Sequence, residues 1–432
     1  MNETMGITGV SRGLNMIQTP PSTPAGEHWR YGTGLPFQVS STQAAILANI
    51  HCVSARSWDY ETGTDVILFD DPKWMIADGA IAVSRNHKER HPRLGEMMTM
   101  VKYPLLGGFI PLGAKRADGS SHPHAGTGFG MCYCMANDVD EAALRGEQRD
   151  TYDLTGDDLH AYFELSQLSF DGGQFHADLP ERVTFDDLVP GVKLTNLGPG
   201  GGIVDGDDLL LPMVAGCVSG VVRWRHGAQG WRPISFTQVP MGVSSSEPSL
   251  IRDVDGSLLF TVRPADEHLS SILVWRSRDG GASWEIIIQA PNLRQPSPVG
   301  LLQAADGTPY IACNQSLAGF INYQGHIAQG QFREILCLWP LNGDRTRLLS
   351  PFFACVPRYE YGPPRHGNEW YVDHPIGATL RLADGQWHHL LCYRIMAIVE
   401  GLGRGLFPPT PHSGLHVSKV CSAGPARAAW FF

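Results

Sequence analysis

The sequence predicts an all-β protein, a six-bladed β-propeller of four-stranded antiparallel blades, with seven as the alternative blade count. Three observations carry this. The chain has 49 Gly and 31 Pro among 432 residues, well above the average combined share of about 12%, which suits a turn-rich β fold. An Asp-Gly pair recurs between apolar runs, at Asp78-Gly79, Asp205-Gly206, Asp255-Gly256, Asp306-Gly307 and Asp384-Gly385. Asp-Gly between β-type runs is a hairpin signal, because glycine accepts positive φ without a Cβ clash. A second kind of hairpin follows three of these pairs, each marked by a tryptophan, at Trp224, Trp275 and Trp339. The steps from Asp205 to Asp255 to Asp306 are nearly equal. Two hairpins in each step make one four-stranded sheet, and repetition of such sheets is the mark of a propeller. The competing architecture is a β-sandwich with coincidental turns.

Taken in order, residues 1–40 read as a polar, Pro-rich N-terminal extension and 41–425 as a single propeller domain. Blades are expected near 50–100 and 105–180, followed by four more regular ones. Residues 139–160 are acidic and polar and read as a helical or loop insertion. The step from Asp306 to Asp384 is longer than the two before it, so that unit carries a second insertion, placed near 351–372.

Composition narrows the function. A net charge of −10 and a pI near 5.9 give no electrostatic footprint for nucleic acid or an anionic membrane. No apolar run reaches the ~18 residues of a membrane helix, and the polar N-terminal stretch lacks a charged n-region with an apolar h-region. A cytoplasmic protein is expected, a monomer or small homo-oligomer without cofactor or metal. The nine cysteines are scattered and read as reduced and mostly buried; Cys132-x-Cys134 alone is a weak metal signal.

Ser277-Arg278-Asp279-Gly280-Gly281-Ala282-Ser283-Trp284 fits S-x-D-x-G-x-[ST]-W. It resembles the Asp box of the sialidase (neuraminidase) superfamily, the BNR repeat that closes the turn between the outer strands of a blade. Asp279 can accept backbone N–H bonds across such a turn, Gly281 supplies positive φ and Trp284 packs between blades. A degenerate copy runs from Ser169 to Phe175. The box is structural and supports the fold rather than the activity. The segment from Glu247-Pro248 to Arg263 is similar to the sialidase stretch in which Glu-Pro opens an inner strand and Arg ends the next. That resemblance implies that Glu247 activates a tyrosine nucleophile and that Arg263 grips a substrate carboxylate. It covers roughly residues 200–395. No Arg-Ile-Pro motif opens the first blade, and no motif marks the tyrosine.

If each Asp-Gly turn joins strands one and two on the bottom face, strand-one starts and strand-two ends meet on the top face near the axis. Strand-one starts would then carry Asp70, Asp71, Glu247 and His374, and strand-two ends Arg85, Arg263 and Arg394. Guanidinium forks suit bidentate binding of a carboxylate; the alternative is arginines that cap strands or pair with neighbouring acids. Ser121-His122-Pro123-His124 opens like Asp373-His374-Pro375, so His122 and His124 are also expected on the top face, as base or substrate ligand, against the alternative of hydrogen-bonded loop histidines. His388 and His389 read as structural. The stretch Arg358–His366 could cover the site and supply the tyrosine.

The candidate catalytic set is therefore Glu247, Asp71, His122 and His124, with Arg263, Arg85, Arg394 and His374 on the substrate. The leading expectation is a sialidase-like glycosidase acting on an acidic oligosaccharide or glycan, with an Asp near 70–78 as general acid. The alternatives are a propeller-type polysaccharide lyase, in which a His or Tyr removes the proton α to a uronate carboxylate, and a non-catalytic glycan-binding propeller.

Overall fold

The computed structural model describes residues 6–11, 17, 29–52, 61–71, 80–85, 87–90, 97–136, 162–190, 200–215, 218–241, 245–264, 272–290, 298–314, 333, 335–356, 369–398 and 412–426. Its described residues form strands, turns and loops arranged as six antiparallel sheets.

Strand β1 (Ile7–Ser11) opens the chain and is used last. Blade one is β2 (Trp29–Gln38), β3 (Ala44–Cys52), β4 (Glu61–Phe69) and β5 (Ile81–Arg85). Blade two begins with a short inner-edge strand, β6 (His87–Arg90), then β7 (Met97–Ile110), β8 (Thr127–Ala136), β9 (Tyr162–Asp171) and β10 (Gln174–Ala177), with β11 (Glu181–Val183) also on β9. Blade three is β12 (Ile203–Asp205), β13 (Asp208–Ala215), β14 (Val218–Gly227) and β15 (Gly230–Val239). Blade four is β16 (Ser245–Arg252), β17 (Leu258–Pro264), β18 (Ile272–Ser277) and β19 (Glu285–Ala290). Blade five is β20 (Gly300–Gln303), β21 (Pro309–Asn314), β22 (Leu336–Pro340) and β23 (Phe352–Cys355). Blade six is β24 (Glu369–Arg381), β25 (Trp387–Ile398) and β26 (Gly414–Ser422), completed on its outer edge by β1, whose Ile7 faces Ser422. Residues 7–11 and 29–38, assigned above to an extension, thus supply an outer and an inner strand. The first strands touch in a closed ring, β2 with β7, β7 with β12, β12 with β16, β16 with β20, β20 with β24 and β24 with β2.

The apolar core is divided among the seams between blades. One cluster, built on Phe129, Leu209, Trp224 and Trp231, joins blades two and three. Equivalent clusters fill the other five seams. The aligned tryptophans Trp224, Trp275 and Trp339 all lie on third strands, the first two fully buried. The seam of blades two and three leaves no room for a side chain at one point, where a Cβ on Gly202 would collide with the Gly107 carbonyl oxygen.

Four Asp-Gly turns join strands one and two as expected, with Gly206, Gly256, Gly307 and Gly385 at φ of 63 to 86°. In three, the Asp carboxylate accepts the N–H two residues on, at Ser257, Thr308 and Gln386. Asp118-Gly119, overlooked in the repeat, does the same for Ser120 in the β7–β8 loop. Asp78-Gly79 lies outside the described residues, but it falls between β4 and β5, strands three and four rather than one and two. That correction moves blade one upstream. The suggested insertion at 139–160 lies outside the described residues, between β8 and β9. The extra length of blade five is split between the β21–β22 connection, 315–335, and the β23–β24 connection, 356–368.

Candidate active site on the strand-start face

First strands run in the same direction in every blade, so their starts share one face. On that face two inner strands break in the same way. In blade four Ser246 faces Arg263, then the register slips and Ser249 faces Thr261. In blade six Asp373 faces Arg394, then the register slips and Ile376 faces Cys392. The extra residues are Glu247-Pro248 and His374-Pro375. Glu247 has φ 50° and His374 φ 53°. A left-handed residue costs about 1–2 kcal/mol, and a following proline restricts it further. Among the described residues Arg345 is the only other non-glycine at positive φ. It sits in a bottom turn, its side chain held by Asp253. Strained backbone of this kind collects at functional sites. The bulges push Glu247 and His374 out of the ladder at equivalent points two blades apart.

Each is held by its neighbours. Arg263 Nη1 donates to Glu247 Oε2 at 3.0 Å, with both side chains partly exposed. Below His374, Asp373 is fully buried. Arg394 donates from Nε and Nη2 to its two oxygens at 2.9 and 3.0 Å, and Arg333 Nη1 donates to Oδ2 at 2.7 Å. Burial alone would raise the Asp373 pKa; Arg394, His374 and Arg333 outweigh it and hold the carboxyl well below the usual range. Arg333 enters from the long β21–β22 connection. Its carbonyl accepts the Val372 N–H, and its guanidinium lies 5.7 Å from the centre of the Tyr371 ring. Arg333 was not among the residues picked from sequence, because no repeat or motif precedes it.

The structure thus brings Glu247, Arg263, His374 and Arg394 to one face, with the Arg394 fork engaged by Asp373. The other four candidates are placed elsewhere. Asp71 is exposed just beyond the end of β4, on the opposite face, where the neighbouring Asp70 carbonyl accepts the Ala383 N–H of a bottom turn. Arg85 ends β5, the outermost strand of its blade, opposite Gly63. Both errors follow from reading Asp78-Gly79 as the first turn of a blade. His122 and His124 lie in the β7–β8 loop on the bottom face. His122 Nε2 donates to the Gly206 carbonyl of the next blade at 2.9 Å, and its Nδ1 accepts the His124 N–H. His124 stacks on His226 at 4.4 Å, and burial together with the nearby His226 and His122 lowers its pKa. These are seam-forming loop histidines. Arg358–His366 lies outside the described residues.

The Ser277–Trp284 turn joins β18 to β19 on the bottom face. Asp279 accepts from Ser283 Oγ at 2.5 Å, Ser283 N at 2.9 Å and Ser277 Oγ at 2.8 Å. These bonds lower its pKa to about 2. Ser277 Oγ also accepts the Gly281 N–H. Trp284 packs on Phe260 at the seam of blades three and four. No group of three or more His, Cys, Asp or Glu among the described residues is arranged to hold a metal ion.

No protein-family model and no curated protein matches the sequence. Solved structures do match in fold. A protein of unknown function from Dyadobacter fermentans superposes with a TM-score of 0.55 at 14% identity, over 98% of this chain and 100% of that one. A Hadza microbial sialidase gives 0.50 at 11% identity, over 93% of this chain and 66% of that one. An α-L-arabinanase from Penicillium chrysogenum gives 0.47 at 8% identity, over 98% and 100%. At these identities the likeness is one of fold alone.

Proposed function

We propose that the chain is a carbohydrate-active enzyme, a glycosidase that takes a carboxylate-bearing sugar at the face carrying Glu247 and His374. The observation that supports it most is the pair of left-handed, proline-followed bulges on inner strands, which hold Glu247 part-exposed beside Arg263 and His374 part-exposed beside the buried Asp373. Arg263 offers a planar guanidinium for the sugar carboxylate, already within 3.0 Å of Glu247, so a bound acid would lie alongside Glu247. Glu247 then acts as the base for the attacking group. The lyase reading drew on His122 and His124; with those on the opposite face, it would rest on His374 alone.

The test is a panel of acidic oligosaccharides followed by new reducing ends and by the ultraviolet absorbance of an unsaturated uronate. Hydrolysis yields reducing ends without the chromophore, and Glu247→Gln should lower the rate by about 10²–10⁴-fold. Appearance of the chromophore would favour elimination. Tight binding of an acidic glycan without turnover would leave a binding module.

A further inference from the structure

We infer that His374 is the general acid of this mouth, with Asp373 as its positioning residue; the assignment rests on the glycosidase reading above. That reading needs a proton for the departing sugar oxygen. Of the aspartates near 70–78 expected to give it, Asp70 and Asp71 lie at the end of β4 on the opposite face, and Asp78 lies outside the described residues. Asp373 cannot serve, since it is fully buried and its two oxygens take three guanidinium bonds. Among the described candidates His374 remains, 26% exposed, at the point in blade six equivalent to Glu247 in blade four.

The local structure fits a proton-transfer residue rather than a passive loop histidine. His374 Nδ1 lies 3.0 Å from Asp373 Oδ1, slightly off the hydrogen-bond line, as resting acid–base pairs often are. The arginines fix Asp373, and Asp373 fixes the ring. This keeps a proton on Nδ1 and turns Nε2 away from the buried carboxylate. Among the described residues, the charged groups are Asp373 against the ring, Arg394 on β25 and Arg333 from the β21–β22 connection behind Asp373, and Glu247 and Arg263 further round the same face. In the step itself, imidazolium Nε2 gives its proton to the glycosidic oxygen as the C–O bond breaks. Glu247 takes the proton of the water that bonds to the sugar carbon, and exchange with solvent returns that proton from Glu247 and recharges Nε2, so both groups end as they began.

The experiment compares two acidic glycosides, one with a sugar leaving group and one with a nitrophenyl leaving group that departs without protonation. The variant is His374→Asn, because asparagine tolerates the left-handed backbone. Its kcat/KM should fall about 10²–10⁴-fold on the first substrate and only a few-fold on the second. Asp373→Asn, if it folds, should lower kcat on the first substrate with little change in KM. Equal losses on both substrates, or none on either, would overturn the assignment while leaving the glycosidase reading in place. A wild-type protein that cleaves neither would overturn that reading and this assignment with it.

Discussion

His389 makes the closure between blades five and six sensitive to acid. It is fully buried, and its ring is held at both nitrogens. Thr379 Oγ1 donates to the Gln303 carbonyl at 3.3 Å, so it accepts from His389 Nδ1 at 2.8 Å. Nε2 is then the acceptor for the Tyr310 hydroxyl, at 2.5 Å. The relay runs from β21 to β25 to β24 to β20 and crosses the seam twice. It fits only the neutral ring. Burial lowers the His389 pKa from 6.5 to about 3. The unfolded chain therefore binds the extra proton first as pH falls. This contribution to stability is complete above pH 6.5 and is lost progressively down to about pH 3. At pH 4 the loss from this one group is about 3 kcal/mol, at about 1.4 kcal/mol per pKa unit. Glutamine at this position can accept from Tyr310 and donate to Thr379 but does not titrate. Urea unfolding of wild type and His389→Gln at pH 7 and pH 4 isolates the effect. The drop in unfolding free energy between the two pH values should be smaller in the variant by about 3 kcal/mol. An equal drop in both proteins would refute the neutral-histidine relay.

Three further outcomes follow from the packing. Asp279→Ala should lower the melting temperature while the folded fraction keeps its turnover, because all three bonds to that carboxylate lie within one bottom turn; a dead but fully stable variant would contradict this. Lys102 is paired with Glu164 in the interior, so Lys102→Met should cost about 3–5 kcal/mol and the added Glu164→Leu should recover most of it, as read by a double-mutant cycle in urea. Gly202→Ala should unfold or strongly destabilise the protein, since the new methyl meets backbone rather than a movable side chain; thermal melting within a degree of wild type would show that the seam can give.

The parts of the fold that were legible in sequence are those whose signal is local and repeated. Asp255-Gly256 and Asp306-Gly307 each place a turn, its flanking strands and, by their spacing, a whole blade. Blade one was misread because its first turn, Ser40–Gln43, contains no glycine and is instead braced by the Gln38 amide on the Ser40 and Gln43 carbonyls. Its only Asp-Gly pair belongs to the other hairpin, and this phase error put Asp71 on the wrong face and Arg85 on an inner strand instead of the outermost one. Strand β1 was hidden because its partner, β26, lies at the far end of the chain. The placement of Glu247 and His374 on the strand-start face was legible because an X-Pro pair recurs in the first strand of each of their blades, and that of Arg263 because it ends the strand after the Asp255-Gly256 turn. Arg333 was not, because its position depends on a tertiary contact with Asp373. His122 and His124 imitate the His374 motif in sequence but follow strand one instead of opening it.

On the proposed function, Arg263 takes a sugar carboxylate beside Glu247. The most direct test measures kcat/KM for an acidic glycoside and its methyl ester with wild type and Arg263→Ala. Loss of a charge-assisted contact in a part-buried mouth should cost about 2–5 kcal/mol, or about 30-fold to several-thousand-fold, on the acid alone. The ester should be turned over slowly and almost equally by both proteins. If Arg263→Ala weakens acid and ester alike, or neither, Arg263 serves only to end its strand and the carboxylate is bound elsewhere.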